Sequence, residues 1–208
     1  MHTFPDRRTM AVYAYPAAKE TAMTPGPAPH PTSPPTGGDP GCRLLLVRHA
    51  KAVPKGDPAE DAERPLSERG RADAHRTGRW LAQSGYAPAL ALCSPARRTR
   101  QTWQLLVPEL VEPPPAVHDG RLYAATPNAL VTVLAESAGG LGCVALVGHN
   151  PGLHELASAL CGSGPRTLRE RLGESLPTSG VVVVDLPGGW DGLTPGAGRL
   201  TAFWAPDH

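Results

Sequence analysis

Basic side chains follow three short apolar runs of this sequence. The runs are residues 43–47, 88–93 and 142–147. The basic residues that follow them are Arg48, His49, Arg97, Arg98 and His149. The planar guanidinium group of arginine presents paired N–H donors that match phosphate oxygens. Together, these side chains would form a strongly cationic pocket suited to a phosphoryl group.

The elements that must position these side chains are strands. Apolar runs of this length are typical of strands buried on both faces of a parallel sheet. Residues 181–186 and 200–204 predict two more strands, joined by a long loop over 187–198. Because ligands of open α/β sheets bind at the carboxyl ends of the strands, we expect the three basic strand ends to meet in one crevice.

Helices are predicted between the strands. Ser67 is a suitable N-cap for a helix that runs to about Gln83, and Gly85 is a suitable terminator. Prolines that suit a first helical turn predict three more helices, after Pro95, Pro127 and Pro151. This alternation of strands and helices predicts a three-layer α/β/α fold with a mostly parallel sheet.

The composition separates an N-terminal tail from a folded domain. Of the 25 prolines among 208 residues, nine lie in residues 1–41. Residues 24–41 contain no Leu, Ile, Val or aromatic side chain that could enter a core. We therefore predict a disordered proline-rich tail over residues 1–41 and one domain over residues 42–208.

Charge and hydropathy exclude several classes of function. The formal net charge of +1 leaves no electrostatic footprint for nucleic acid. No apolar run approaches the roughly 20 residues that span a bilayer, and the first twenty residues lack the pattern of a signal peptide. The four cysteines show no metal-ligand spacing. We expect a cytoplasmic monomer with free thiols that binds neither nucleic acid nor a membrane.

Five segments carry a resemblance to a known family. They are residues 46–50 (LVRHA), 64–70 (RPLSERG), 94–99 (SPARRT), 147–151 (VGHNP) and 177–180 (PTSG). Their order, spacing and placement at strand ends resemble the histidine phosphatases of the phosphoglycerate-mutase-like superfamily, and in particular the SixA-type phosphohistidine phosphatase branch. The resemblance extends over about residues 43–204, which is nearly everything after the tail.

This resemblance implies roles for four residues. His49 would be the nucleophile and would become a phosphohistidine, while Arg48 and Arg98 would hold phosphoryl oxygens and His149 would complete the clamp. The family spacing Ser-Pro-x-x-Arg selects Arg98 over Arg97, which would point elsewhere. Water would then hydrolyse the intermediate, and neither a metal nor a cofactor is implied.

Three further residues are candidates for substrate binding. Arg64 belongs to a charged stretch that is either a solvated surface or a site from which Arg64 reaches the phosphate or a substrate carboxylate. Asn150 directly follows His149, and His154 lies one helical turn further on, where it could line the pocket.

The sequence lacks a recognisable general acid. Glu109, Glu112 and Asp119 lie in no acid motif. An alkoxide leaving group needs protonation, whereas an imidazole leaves readily once its ring is protonated, so we favour phosphohistidine in proteins as the substrate. The alternatives are a phosphomonoesterase acting on a small phosphorylated molecule and, in a different class, a non-catalytic module that binds phosphate or a phosphoprotein.

Overall fold

The structure is a computed structural model that describes residues 11–13, 41–54, 56 and 58–207. Its strands are β1 Ala11–Tyr13, β2 Cys42–Arg48, β3 Leu90–Cys93, β4 Ala116–His118, β5 Cys143–Gly148, β6 Cys161–Ser163, β7 Val181–Leu186 and β8 Gly198–Trp204. Its α-helices are α1 Glu68–Gln83, α2 Arg97–Leu106, α3 Pro127–Ser137, α4 Gly152–Leu160 and α5 Arg166–Glu174. Short 3-10 helices occur at Pro58–Glu63, Val107–Glu109, Gly120–Leu122 and Trp190–Gly192.

The described strands form one sheet in the order β1-β4-β3-β5-β2-β7-β8-β6. Its centre is parallel, because β4, β3, β5 and β2 run in the same direction. In contrast, β7 is antiparallel to both of its neighbours, and β1 is antiparallel to β4. The sheet is therefore mixed, and the physical reason lies in the connections: β7 and β8 are joined by a loop without an α-helix, which suits an antiparallel pair.

Two apolar layers cover the faces of the sheet, which confirms the three-layer prediction. Leu44 and Leu46 of β2 pack in the cluster that includes α3 and α4, while Leu45 and Val47 pack in the cluster that includes α1 and α2. All four side chains are fully buried. Because successive side chains of a strand point to opposite faces, a strand covered on both sides needs the continuous apolar run seen in the sequence.

The predicted helix boundaries are confirmed. Ser67 caps α1, and its Oγ accepts a hydrogen bond from the Gly70 N–H at 3.1 Å. After the end of this helix, Gly85 adopts a left-handed φ of +72°, which favours glycine. Pro127 opens α3, and α2 and α4 begin shortly after Pro95 and Pro151, respectively.

Sequence reasoning missed the shortest elements and one helix. Strand β4 has three residues, too few to show a period. Helix α5 is mostly polar, with Leu172 as its buried residue. Neither element therefore presents the apolar pattern on which the predictions depended.

The predicted tail is described at four positions only. Ala11–Tyr13, within the segment predicted to be disordered, form β1 at the edge of the sheet, and Gly41 immediately precedes β2. The remainder of residues 1–40 lies outside the described residues, so disorder there stays a prediction. Among the described residues, no helix combines the length and apolar character needed to cross a membrane.

Candidate active site

Two histidines meet at the carboxyl edge of the sheet because β2 and β5 are parallel and in register. Arg48 at the end of β2 lies opposite Gly148 at the end of β5. The next residues, His49 and His149, therefore leave the sheet side by side, and their ring centroids are 5.1 Å apart. The sequence predicted that the basic strand ends meet, and the register of β2 and β5 shows how the two histidines do so.

The imidazole of His49 is held in one tautomer. Its Nδ1 lies 2.8 Å from the carbonyl oxygen of Ala50, and since a carbonyl only accepts, Nδ1 carries the proton and Nε2 keeps a lone pair. Burial lowers the pKa of His49 to about 4; the hydrogen bond to Ala50 opposes this shift, and the charges of Arg98 and Arg48 reinforce it. The ring is therefore neutral at pH 7, with Nε2 available as a nucleophile.

The backbone around His49 is fixed from two sides. The N–H of Ala50 donates to Thr102 Oγ1 at 2.9 Å, and the N–H of Ser179 donates to the His49 carbonyl at 3.2 Å. Ser179 has a φ of +61°, an uncommon conformation for a residue other than glycine. The PTSG segment that contributed to the family resemblance thus lies beside His49.

Three buried N–H groups in this region lack a hydrogen-bond partner within the described part of the chain. They are Arg48 Nε, Arg98 Nε and His149 Nδ1. Both arginines are oriented by main-chain oxygens: Arg48 Nη1 donates to Leu176 at 2.8 Å and Arg98 Nη1 donates to Asp61 at 2.6 Å. Buried donors are normally satisfied in folded proteins. All three residues line the cleft, where a phosphoryl group would bring acceptor oxygens.

His149 is oriented by Ser94. The serine Oγ lies 2.7 Å from His149 Nε2 and also accepts a hydrogen bond from the N–H of Ala96 at 3.4 Å. The hydroxyl proton has no other acceptor among the described residues, so it is directed to Nε2, which leaves the His149 proton on Nδ1. Burial lowers the pKa of His149 to about 3, and the nearby His49 and Arg98 act in the same direction. His149 is therefore a neutral hydrogen-bond donor.

A carboxylate that the sequence did not single out lies at the centre of the cationic groups. Asp61 accepts hydrogen bonds from Arg64 Nε at 2.9 Å, Arg98 Nη2 at 3.1 Å and the Tyr123 hydroxyl at 2.8 Å. Burial alone would raise the pKa of Asp61, but the hydrogen bonds from Tyr123 and Arg64 and the charge of Arg98 lower it to about 2. Tyr123 also packs edge-on against His149, with ring centroids 5.5 Å apart.

These groups line one open cleft of about 500 Å³. A phosphoryl group fills only a small part of this volume, so the remainder is available to the group that carries it. Of the residues predicted to form the site, the structure brings six to this cleft: Arg48, His49, Arg64, Arg98, His149 and Asn150.

One predicted site residue lies elsewhere. His154 does not line the cleft, because its Nε2 donates to the Leu172 carbonyl at 2.6 Å and links α4 to α5. Pro151, the N-cap of α4, and Glu155, four residues further on, line the cleft. His154 is one position away from Glu155 and is therefore turned about 100° around the helix axis.

The structure also shows the surroundings of Arg97, Arg64 and Asn150, three other residues considered in the sequence analysis. Arg97 is exposed whereas Arg98 is 5 % exposed, in agreement with the choice of Arg98 from the family spacing. Arg64 lies in the cleft, but two of its nitrogens already donate to Asp61 and to the Val53 carbonyl. Asn150 Nδ2 donates to the Leu176 carbonyl, the acceptor that also orients Arg48.

Sequence reasoning missed Asp61, Ser94, Thr102 and Tyr123 as functional positions. Ser94 belongs to the segment SPARRT, and Asp61 lies in the charged stretch before Arg64. Tyr123 lies in no motif from which a role could have been predicted. Within the described ranges, no group of three or more His, Cys, Asp or Glu side chains is arranged to hold a metal ion, and all four cysteines are free.

The fold and the cleft together define an α/β protein with paired histidines and paired arginines at the carboxyl edge of its central strands. Residues 44–122 match the model of the histidine phosphatase superfamily, branch 1. The uncharacterized protein Rv1276c of Mycobacterium tuberculosis is 36% identical over 163 residues, which cover 77% of this chain and 99% of the relative. The uncharacterized protein ML1117 of Mycobacterium leprae is 33% identical over 164 residues, with the same coverage.

Solved structures agree with this classification. The SixA protein of Agrobacterium tumefaciens, provisionally named a phosphohistidine phosphatase, is 32% identical with a TM-score of 0.67, over 79% of this chain and 98% of that one. A protein histidine phosphatase SixA in complex with tungstate has a TM-score of 0.62 at 24% identity, over 79% and 97% of the two chains, and shows the shared fold. The chain belongs to the histidine phosphatase superfamily, in its SixA-like branch, and is a phosphatase of that superfamily.

Proposed function

We propose that this protein hydrolyses phosphohistidine in a phosphorylated protein, through a covalent phosphoryl intermediate on His49 and without a metal ion. The observation that carries the proposal is the neutral His49, whose Nδ1 is bound to a carbonyl while Nε2 is free. This nucleophile shares its cleft with the three unpartnered donors of Arg48, Arg98 and His149.

In the first step, the lone pair of His49 Nε2 attacks the phosphorus atom. The new P–N bond forms as the P–N bond of the substrate breaks, and its electron pair returns to the substrate imidazole, which leaves as a neutral ring if it entered protonated. The guanidinium groups of Arg48 and Arg98 and the N–H of His149 stabilise the charge on the phosphoryl oxygens. Such preorganised donors are usually the largest contribution to catalysis of phosphoryl transfer.

In the second step, water attacks the phosphorus atom and the bond to His49 Nε2 breaks. The electron pair returns to Nε2, the proton of the water passes to the released phosphate, and the imidazole regains its starting form. The hydrogen bond from Nδ1 to Ala50 holds the ring in place through both steps. The cleft then exchanges inorganic phosphate for a new substrate.

The environment of the acidic residues favours a nitrogen-linked substrate. None of Glu109, Glu112 and Asp119, the acidic residues considered from the sequence, lines the cleft. Glu109 pairs with His75 and Arg79, and Asp119 pairs with Arg121. Two carboxylates, Asp61 and Glu155, line the cleft. The pKa of about 2 leaves Asp61 without a proton at neutral pH, so it cannot act as a general acid there. An imidazole that carries its own proton needs no such acid, whereas an alkoxide does.

Labelling of the enzyme tests this proposal. The purified full chain is mixed with a radiolabelled phosphohistidine peptide, quenched, and assayed for protein-bound phosphate. We expect label that is stable in alkali and labile in acid, absent from His49→Ala, and retained by the control His75→Ala, a partly exposed histidine that pairs with Glu109. A chelator should not change the rate.

Three outcomes would count against the proposal. Label retained by His49→Ala would place the nucleophile elsewhere. Faster hydrolysis of p-nitrophenyl phosphate than of the phosphohistidine peptide would favour a phosphomonoesterase. Binding of phosphate or tungstate without turnover of either substrate would favour a binding module.

A further inference from the structure

A carboxylate without a partner lies in the same cleft as the cationic groups. Glu155 belongs to the first turn of α4, and its N–H donates to the Pro151 carbonyl at 2.9 Å, one turn earlier. Both residues line the cleft. On the other side of the helix, Leu153 and Leu156 are buried in the core. Glu155 is therefore the polar residue that α4 presents to the cleft from this turn.

The two carboxylates of the cleft differ in the number of hydrogen bonds that they accept. Asp61 receives three side-chain hydrogen bonds, whereas Glu155 is exposed and has neither a hydrogen bond to its side chain nor an ion pair among the described residues. A free carboxylate beside a phosphoryl site repels the negative charge of the substrate. A positive charge on the substrate would offset this repulsion.

We propose that Glu155 selects nitrogen-linked phosphoryl groups by accepting a hydrogen bond from the protonated imidazole of the substrate. This inference rests on the proposed function. In phosphohistidine, one ring nitrogen carries the phosphoryl group and the other carries the proton that makes the ring a cation. The carboxylate of Glu155 stabilises that cation, since charge-assisted hydrogen bonds are stronger than neutral ones.

The chemical balance of the first step is unchanged by this contact. The P–N bond of the substrate breaks, its electron pair goes to the imidazole, and the N–H at the other ring nitrogen stays in place. The leaving group is thus a neutral imidazole, and no proton moves to or from Glu155. A phosphomonoester has an alcohol oxygen in the corresponding position, which offers the carboxylate no proton.

The test compares Glu155→Gln with Glu68→Gln. Glu68 is also an exposed glutamate in the first turn of a helix, but it lies outside the cleft, so it controls for the interaction of a carboxylate with a helix N-terminus. For each variant, kcat/KM is measured with a phosphohistidine peptide and with p-nitrophenyl phosphate. The pH profile for the peptide is recorded from pH 5 to 9.

For Glu155→Gln, we expect kcat/KM for the phosphohistidine peptide to fall by about tenfold or more, which corresponds to about 1.4 kcal/mol of transition-state stabilisation. Activity on p-nitrophenyl phosphate should stay the same or rise. The alkaline limb of the peptide profile should move to lower pH, because the substrate imidazolium has lost its stabilising partner. Glu68→Gln should leave both activities unchanged.

An equal change in both activities, or no change in either, would overturn this role of Glu155. In that case the glutamate would serve only the N-terminus of α4. Such a result would still leave the labelling of His49 intact, so failure of this inference is distinguishable from failure of the proposed function.

Discussion

Replacement of Asp61 by asparagine should lower both the stability and the activity of the protein. The carboxylate uses one oxygen for Arg64 and the other for Arg98 and Tyr123. An amide has one acceptor oxygen, and its NH₂ group would face N–H or O–H donors. Asp61→Asn therefore leaves at least one buried donor unpaired and loosens the guanidinium of Arg98.

The effect on stability follows from the pKa of Asp61. A pKa of about 2, compared with the ordinary value of 3.8, corresponds to about 2 kcal/mol at 1.36 kcal/mol per pKa unit. The side chain is 20 % exposed, and screening by solvent reduces this to ~1–2 kcal/mol. Because the folded-state pKa is lowered, the stabilisation is complete above pH 3.8 and is lost as the pH falls towards 2.

Urea unfolding measures this difference. At pH 7 we expect Asp61→Asn to be less stable than wild type by ~1–2 kcal/mol, and the gap to narrow below about pH 4. The control is Asp185→Asn, which breaks a similar pair with Arg43 on two central strands, outside the cleft. It should lower stability but leave kcat/KM unchanged, whereas Asp61→Asn should also lower kcat/KM by about tenfold or more.

Two results would contradict this role of Asp61. A variant Asp61→Asn as stable as wild type at pH 7 would mean that the three hydrogen bonds contribute nothing net. A stability difference that stays constant down to pH 3 would mean that the carboxylate charge is not its source.

Three further predictions concern other residues of the site. Arg98→Ala should lower kcat/KM by about a thousandfold, while the neighbouring exposed Arg97→Ala should stay within about threefold of wild type; similar losses in both would contradict the family spacing. Ser94→Ala removes the 2.7 Å hydrogen bond to His149 and should lower kcat about tenfold in steady-state assays, with an unchanged kcat as the contrary result. Since burial lowers the pKa of His49 to about 4, the acid limb of phosphoenzyme formation should have its midpoint near pH 4; a midpoint near 6.5 would show that the nucleophile is not desolvated.

Much of the fold could be predicted from local patterns. The apolar run of β2, the N-cap Ser67 and the helix-opening Pro127 each express a short-range physical rule, and each matches the structure. The direction of β7 relative to β2 could not be predicted in this way, because strand pairing depends on how the intervening chain crosses the sheet. The three-residue strand β4 was missed for lack of any period.

The residues of the candidate site also fall into those that could be predicted from local sequence patterns and those that could not. Arg48, His49, Arg98 and His149 were found from sequence, because each follows a recognisable strand or motif and the ends of parallel strands share one edge of the sheet. The partners that orient these groups were not found. Ser94 lies 55 residues from His149, Asp61 lies 37 from Arg98, and Tyr123 lies 62 from Asp61.

Residue types and spacing thus predicted the paired histidines and arginines of the cleft, and their role in binding a phosphoryl group stays a prediction. The tautomer of His49, the ionised state of Asp61 and the position of His154 outside the cleft became visible in the folded structure alone. The physical reason is that residue type and spacing are local properties, whereas protonation and orientation depend on burial and on hydrogen-bond partners brought together from distant parts of the chain.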